Sequence, residues 1–261
     1  MSNINIEEIH RQTKEAWRLN WHKVEIETIM EIFDYPRVKK MFNIIVKYLP
    51  LNGLILEAGC GIGPWLIKLN MLGYRIAGID YQEECVKDIK SYNTALPAYV
   101  ADVRNIPFKN NAFEAYLSFG VIEHFPEGPG DVLLEARRVL NNNGRMILTV
   151  PHMNIFIMLK TTLLCLKRSS FLRLIFKKAP GKYYYQRYFR VSELKSLIEK
   201  NRFSIEEIMP VDHIFSLVEF SGFFRQKGSY DGENTLAVTL GSLLEKFLPW
   251  MSAGSILIVA R

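Results

Sequence analysis

At 261 residues and a net charge of +6, the chain is long enough for one sizeable domain, or one domain with a cap, around an ample core. Hydrophobic residues make up 49% and charged residues 23%, the balance of a soluble globular protein, and no stretch reaches about 18 uncharged apolar residues, so a membrane-spanning helix is not expected. Cys60, Cys85 and Cys165 are odd in number and scattered, which argues against structural disulfides and a metal site and favours a reduced, cytoplasmic protein.

The opening MSNINIEEIHRQTKEAW carries acids early and no apolar core, unlike a signal peptide. Residues 1–52 read as a helical lid, with segments at 6–23, 24–33 and 36–49, the last starting at Pro36. Trp17, Trp21, Tyr35 and Arg37 there either cover a ligand or pack helix against helix. From Gly53 the element types alternate. Short apolar strands are predicted at 53–58, 74–80, 97–102, 113–120 and 144–151, with helices at 64–72, 81–92 and 130–140 between them. Such alternation gives βαβ units and a parallel sheet, so 53–151 is predicted to be a doubly wound α/β core with its crevice at the carboxyl ends of the strands.

Residues 152–188 interrupt the pattern with an apolar, basic cap. From Ala136 to Ser192 there are twelve cations and no acid, leaving 21 cations against 27 acids elsewhere, a net −6. This segment reads either as an ordinary helical cap or as a peripheral element meeting anionic membrane, with nucleic-acid binding a weaker third option. The core then resumes over 189–261: a helix at 191–201 with Ser192 as N-cap, a strand at 202–211, a second insertion at 212–250 with a helix at 235–248, and a closing strand at 254–261.

The turn after the first strand, LEAGCGIGPW, holds Gly59, Gly61 and Gly63. A P-loop would need a Lys and a hydroxyl that are absent, and a dinucleotide turn would place its third glycine at Pro64. The pattern, E-x-G-x-G-x-G from Glu57, resembles class I S-adenosyl-L-methionine (SAM)-dependent methyltransferases. A cofactor without phosphates uses such glycines for a sharp turn and close backbone approach. Asp80 ends the second strand, about 20 residues past the turn, where a carboxylate accepts both hydroxyls of a ribose. Asp102 ends the third predicted strand; the resemblance implies that it meets the adenine amino group, with Val103 near the ring and Phe119 also around the cofactor.

Two longer stretches, DVRNIPFKNNAFEAYLSFGVIEHF and LLEARRVLNNNGRMILTVP, resemble the ubiquinone/menaquinone-biosynthesis-like small-molecule methyltransferases, with Glu114 and Asn143 as departures from their pattern. YQRYFRVSELKSLIEKNRFSI resembles a later family segment, but Tyr185 stands where His is common. The resemblance implies a seven-stranded Rossmann-like sheet with the last strand antiparallel. It also implies transfer of the SAM methyl, and a small or lipid-linked acceptor, such as a prenyl-quinone precursor or a lipid-carried sugar, is favoured because cap and crevice could then act together. His124, just past the fourth strand, is the first candidate for base or substrate orientation, and Glu123 the second. Cys60 is read as a packing residue, and SFGV after the fourth strand argues against methyltransferases of nucleobase amino groups. An NAD oxidoreductase, a non-catalytic methyltransferase-fold binding protein, and an RNA or protein methyltransferase using the basic segment are the alternatives.

Overall fold

The computed structural model describes residues 6–21, 24–167, 186–226 and 232–261. A seven-stranded sheet runs in the order β3-β2-β1-β4-β5-β7-β6. Its strands are β1 (Leu54–Ala58), β2 (Arg75–Asp80), β3 (Ala98–Val100), β4 (Phe113–Phe119), β5 (Leu140–Pro151), β6 (Ile205–Val211) and β7 (Ser255–Ala260). Strands β1 to β5 are parallel, and β7 is antiparallel to both β5 and β6. The chain order reverses direction between β1 and β4, which is where open α/β sheets bind ligands.

The helices are α1 (Ile6–Trp21), α2 (Ile26–Met30), α3 (Pro36–Ile45), α4 (Pro64–Met71), α5 (Glu83–Tyr92), α6 (Gly130–Val139), α7 (Ile155–Lys167), α8 (Val191–Lys200), α9 (His213–Phe220), α10 (Thr235–Phe247) and α11 (Pro249–Ser252). The two faces of the sheet carry separate cores. Ile55, Ala115, Leu117 and Leu257 pack on one side with α2–α5, and Leu56, Tyr116, Leu148 and Ile258 on the other with α6 and α8. Neighbouring residues of a strand point to opposite faces, so a sheet covered on both sides needs apolar residues at every position. ILIVA of β7 meets that demand, and LILEA of β1 departs from it only at the buried Glu57.

Several expectations are corrected. The predicted helix at 24–33 ends at Met30 and tightens into a 3₁₀ turn, Glu31–Asp34. Strand β5 starts at Leu140 rather than Gly144, because Leu140 pairs with Phe113 across a register shift. Ser192 is not the cap of α8; the helix opens at Val191 after Arg190, and Glu193 Oε2 accepts the Arg190 N–H at 3.5 Å. The second insertion contains α9 and α11 besides α10. Of the basic cap at 152–188, α7 is described, while the stretch from Arg168 to Tyr185, with Arg168, Arg173, Lys177, Lys178 and Lys182, lies outside the described residues. Among the described residues no helix is long and apolar enough to cross a membrane.

Candidate active site

The glycine turn is a rigid device. Gly59, Gly61 and Gly63 have φ of +80°, +54° and +77°, a region that penalises any side chain. The N–H groups of Gly59 and Cys60 both donate to Ile79 O, at 2.8 and 2.9 Å, which pins the turn to β2. A Cβ on Gly59 would lie 2.5 Å from Val121 Cγ2, and one on Gly61 would lie 2.9 Å from the Trp21 ring.

Glu57 and Gly63 serve the turn from behind. Gly63 is the N-cap of α4 and has no side chain to accept from the first helical turn. The buried Glu57 carboxylate accepts the Leu66 N–H in its place. Burial and the nearby Asp80 hold the Glu57 carboxyl well above its usual range, and its Oε2 has no hydrogen-bond partner. Cys60 is also buried, and burial pushes its thiol up, away from the nucleophilic thiolate.

Asp80 locks turn and second strand together. Its Oδ2 accepts Gly61 N–H at 2.8 Å and its Oδ1 accepts Gln82 N–H at 2.9 Å. Burial raises its pKa, while those backbone donors and the Lys14 charge pull the other way. A carboxylate carries roughly four acceptor sites, so two such bonds leave capacity for a diol. Asp102 differs from expectation: β3 ends at Val100, and Asp102 sits two residues beyond, in an isolated bridge with Asn105. Burial pushes its carboxyl up, but hydrogen bonds from the Arg104 guanidinium and backbone N–H outweigh this and leave it lowered.

These groups share one cavity of about 500 Å³ at the strand ends. Of the residues named from sequence, Gly59, Gly61, Asp80, Asp102, Val103, Phe119 and His124 line it. Glu57, Gly63 and Glu123 do not; the first two support the turn, and Glu123 is buried behind the wall. The Glu123 carboxyl is pushed up to about 8 by burial, so it is largely protonated at neutral pH. His124 Nε2 lies 3.9 Å from Glu123 Oε1, beyond hydrogen-bond reach, and the His124 ring meets the Trp17 ring edge-on at 5.4 Å.

The other wall is α1. His10, Thr13, Lys14, Trp17 and Trp21 fall on one helical face and all line the cavity. Trp17 stacks on Trp21 at 5.4 Å. Of the four candidate lid residues, Trp17 and Trp21 thus reach the cavity, whereas Arg37 pairs with Asp212 and Glu233 and packs over Phe215, and neither it nor Tyr35 lines the site. A polar chain fastens the lid: His10 Nε2 lies 3.0 Å from Glu127, which takes Arg104 at 3.2 Å, which in turn holds Asp102 at 2.7 Å. Two buried polar atoms of the wall, Thr13 Oγ1 and Gln82 Oε1, have no hydrogen-bond partner, an arrangement that a polar ligand would satisfy. Sequence reasoning missed Thr13, Tyr81, Gln82 and Arg104. Tyr81 and Gln82 directly follow Asp80, which was signal enough; Thr13 shows only in the spacing of the α1 face.

A family model described as a methyltransferase domain matches residues 56–148. An uncharacterised protein of Methanocaldococcus jannaschii is 34% identical over 111 residues, 42% of this chain and 41% of that protein. A Mycobacterium tuberculosis protein named as a probable S-adenosylmethionine-dependent methyltransferase is 26% identical over 98 residues, 38% of this chain and 35% of its own length. A human protein named probable tRNA methyltransferase 9B is 34% identical over 101 residues, 38% of this chain and 21% of its own length. The matches therefore span less than half of these relatives. Among solved structures, 1,6-didemethyltoxoflavin-N1-methyltransferase of Burkholderia thailandensis aligns over 100% of this chain and 92% of its own with a TM-score of 0.61 at 14% identity, a likeness of fold. Geranyl diphosphate C-methyltransferase of Streptomyces coelicolor aligns over 86% and 79% with a TM-score of 0.57 at 15% identity. The matched residues 56–148 hold the glycine turn, Asp80 and Asp102, and over that span the chain is similar to SAM-dependent methyltransferases, with solved structures that share its fold.

Proposed function

We propose that the protein transfers a methyl group from SAM to a small or lipid-linked metabolite, with the acceptor entering beside His124. The observation that carries this reading is Asp80. It lines the cavity, fixes Gly61 of the turn, and keeps acceptor capacity for hydroxyls. Bound SAM would supply an activated methyl on a sulfonium, needing an aligned acceptor more than strong acid–base help.

The chain's residues then divide the work. Asp80 accepts the ribose hydroxyls, and the glycine turn lets backbone come close where a Cβ would block. Val103 and Tyr81 line the cavity on the side of Asp102, where a base ring would lie. Phe119, Trp17 and Trp21 exclude water from the reacting end. His124 orients the acceptor and takes up a proton where the acceptor loses one. Glu123, being largely protonated at neutral pH, is a weak base and is assigned a supporting role.

A small acceptor, or a short end of a lipid-linked one, is favoured because α1 lies across the cavity and leaves about 500 Å³ for donor and acceptor together. A folded RNA would need that helix displaced. The ubiquinone/menaquinone-like subgroup is part of the proposal and rests on the motifs around Asp102, His124 and Arg138. The test is transfer of labelled methyl from SAM to an extract of small metabolites, followed by product mass spectrometry. Loss of labelling in Asp80→Ala and His124→Ala supports the reading. Labelling confined to RNA or protein contradicts it.

A further inference from the structure

Along α1 the cavity divides into two chemically different halves. The N-terminal half of the helix is polar. Lys14 lies over the Tyr81 ring at 5.5 Å, its carbonyl accepts Gln82 Nε2–H at 3.2 Å, and His10 reaches Glu127 and through it Arg104 and Asp102. This half therefore covers the side of Asp80 and Asp102.

The C-terminal half is aromatic. Trp21 presses on the glycine turn, and Trp17 stacks on it with 18° between the ring planes and meets His124 edge-on. Phe119, at the end of β4, lines the same cavity. Its ring is braced at 4.7 Å by Trp65, which is buried, does not line the cavity and stacks in turn on Phe42. Rings held in place before a ligand arrives lose little freedom when it binds.

This half is also nearly free of charge. Trp17, Trp21, Phe119 and Val121 carry none, and His124 is the one titratable side chain beside them. With a ribose on Asp80 and a base toward Asp102, the aromatic half is left to the sulfonium end of the donor and to the acceptor. An anionic acceptor would lose its hydration there with only His124 to meet it. A cationic one would stand against the sulfonium with no free carboxylate to offset the repulsion. Flat rings instead gain from a flat partner, stacked or edge-on, beyond the burial of area.

We infer that the acceptor presents a neutral, planar aromatic ring bearing an O–H or N–H to this half of the cavity, and that Trp17 and Phe119 select it. The inference rests on the methyl-transfer reading and deepens it, by naming a ring rather than a sugar or an aliphatic chain as the reacting group. In the step, a lone pair of the ring heteroatom forms the bond to the methyl, the methyl–sulfur bond pair stays on sulfur to leave a neutral thioether, and His124 takes the proton that the heteroatom releases.

Calorimetry on the full chain saturated with S-adenosylhomocysteine tests this with a matched set of compounds. 2-Naphthol and decahydro-2-naphthol share a hydroxyl and a carbon frame and differ in planarity, and 6-hydroxy-2-naphthoate adds a negative charge. 2-Naphthol is expected to bind about tenfold or more tightly than either of the others. Trp17→Leu should bring the affinities for flat and saturated compound to within about twofold of each other, and Phe119→Leu reads the same ratio should Trp17→Leu not fold. Equal binding of flat and saturated compounds, binding of neither, naphthoate binding as tightly as naphthol, or a ratio unchanged in both variants overturns the inference, while binding of S-adenosylhomocysteine leaves the methyl-transfer reading standing. Absence of S-adenosylhomocysteine binding overturns both.

Discussion

The cavity half and the α7/α10/α11 half of the molecule spend apolar side chains in opposite ways. Around β1, β2 and β4 they are turned inward, and the crevice they leave is rimmed by backbone amides and carboxylates with defined partners, as at Asp80. On α10 and α11 they are turned outward, and the one acid within those two helices is Glu245, paired with Lys40. The first arrangement holds one small polar ligand tightly. The second offers a broad, unspecific face. Substitutions in the cavity and on that outer face should therefore act independently.

The largest separation is expected at His124. His124→Ala should lower kcat by about 10²-fold or more while leaving the affinity for S-adenosylhomocysteine within a factor of about two, measured by turnover and calorimetry on the same sample. An unchanged kcat would remove His124 from the chemistry. Asp80→Ala should do the reverse to the donor side. It loses the acceptor for the ribose and leaves the Gly61 N–H without its 2.8 Å partner, so S-adenosylhomocysteine affinity should drop by roughly a hundredfold.

Gly59→Ala attacks the turn itself. With φ at +80° and Val121 2.5 Å from the new methyl, stability should fall by about 2 kcal/mol or more in thermal or urea unfolding. A variant as stable as the parent would mean that β1 and α4 tolerate another path between them.

Glu123 gives a pH-dependent prediction. Its carboxyl is raised from the ordinary 4.5 to about 8 in the folded chain. The folded state then holds a proton that the unfolded state releases, so this contribution is full below the ordinary value and is lost as pH rises through about 8. Glu123→Gln should therefore flatten the fall of melting temperature between pH 6 and pH 9. Parallel curves would show that the group is ionised already at pH 6. The smallest effect is expected at the lid. The His10–Glu127–Arg104 chain is partly exposed, so Glu127→Gln should speed release of S-adenosylhomocysteine only about two- to fivefold, by stopped-flow fluorescence of Trp17 and Trp21.

The same contrast governs how much was legible in sequence. The core strands read directly, because a sheet buried on both faces requires short, largely apolar runs such as ILIVA in β7 and LILEA in β1, broken only by Glu57. The glycine turn with Asp80 was also legible, since close backbone approach permits few residue types. Glu57 and Gly63 were legible as motif but not as role: that one replaces the other's missing cap is a three-dimensional fact. Asp102 was displaced by two residues because β3 stops at Val100, where pairing with β2 ends. The α1 face escaped because amphipathic spacing says that a face is covered, not what it covers. Helices α9 and α11 escaped because they are short and hold their shape by packing on α10.

Calorimetry of the full chain with S-adenosylhomocysteine and, separately, with NADH tests the central claim most directly. One site for S-adenosylhomocysteine, lost in Asp80→Ala, and no heat with NADH are the predicted results. Binding of NADH, or S-adenosylhomocysteine binding that survives Asp80→Ala unchanged, would contradict the assignment of the cavity.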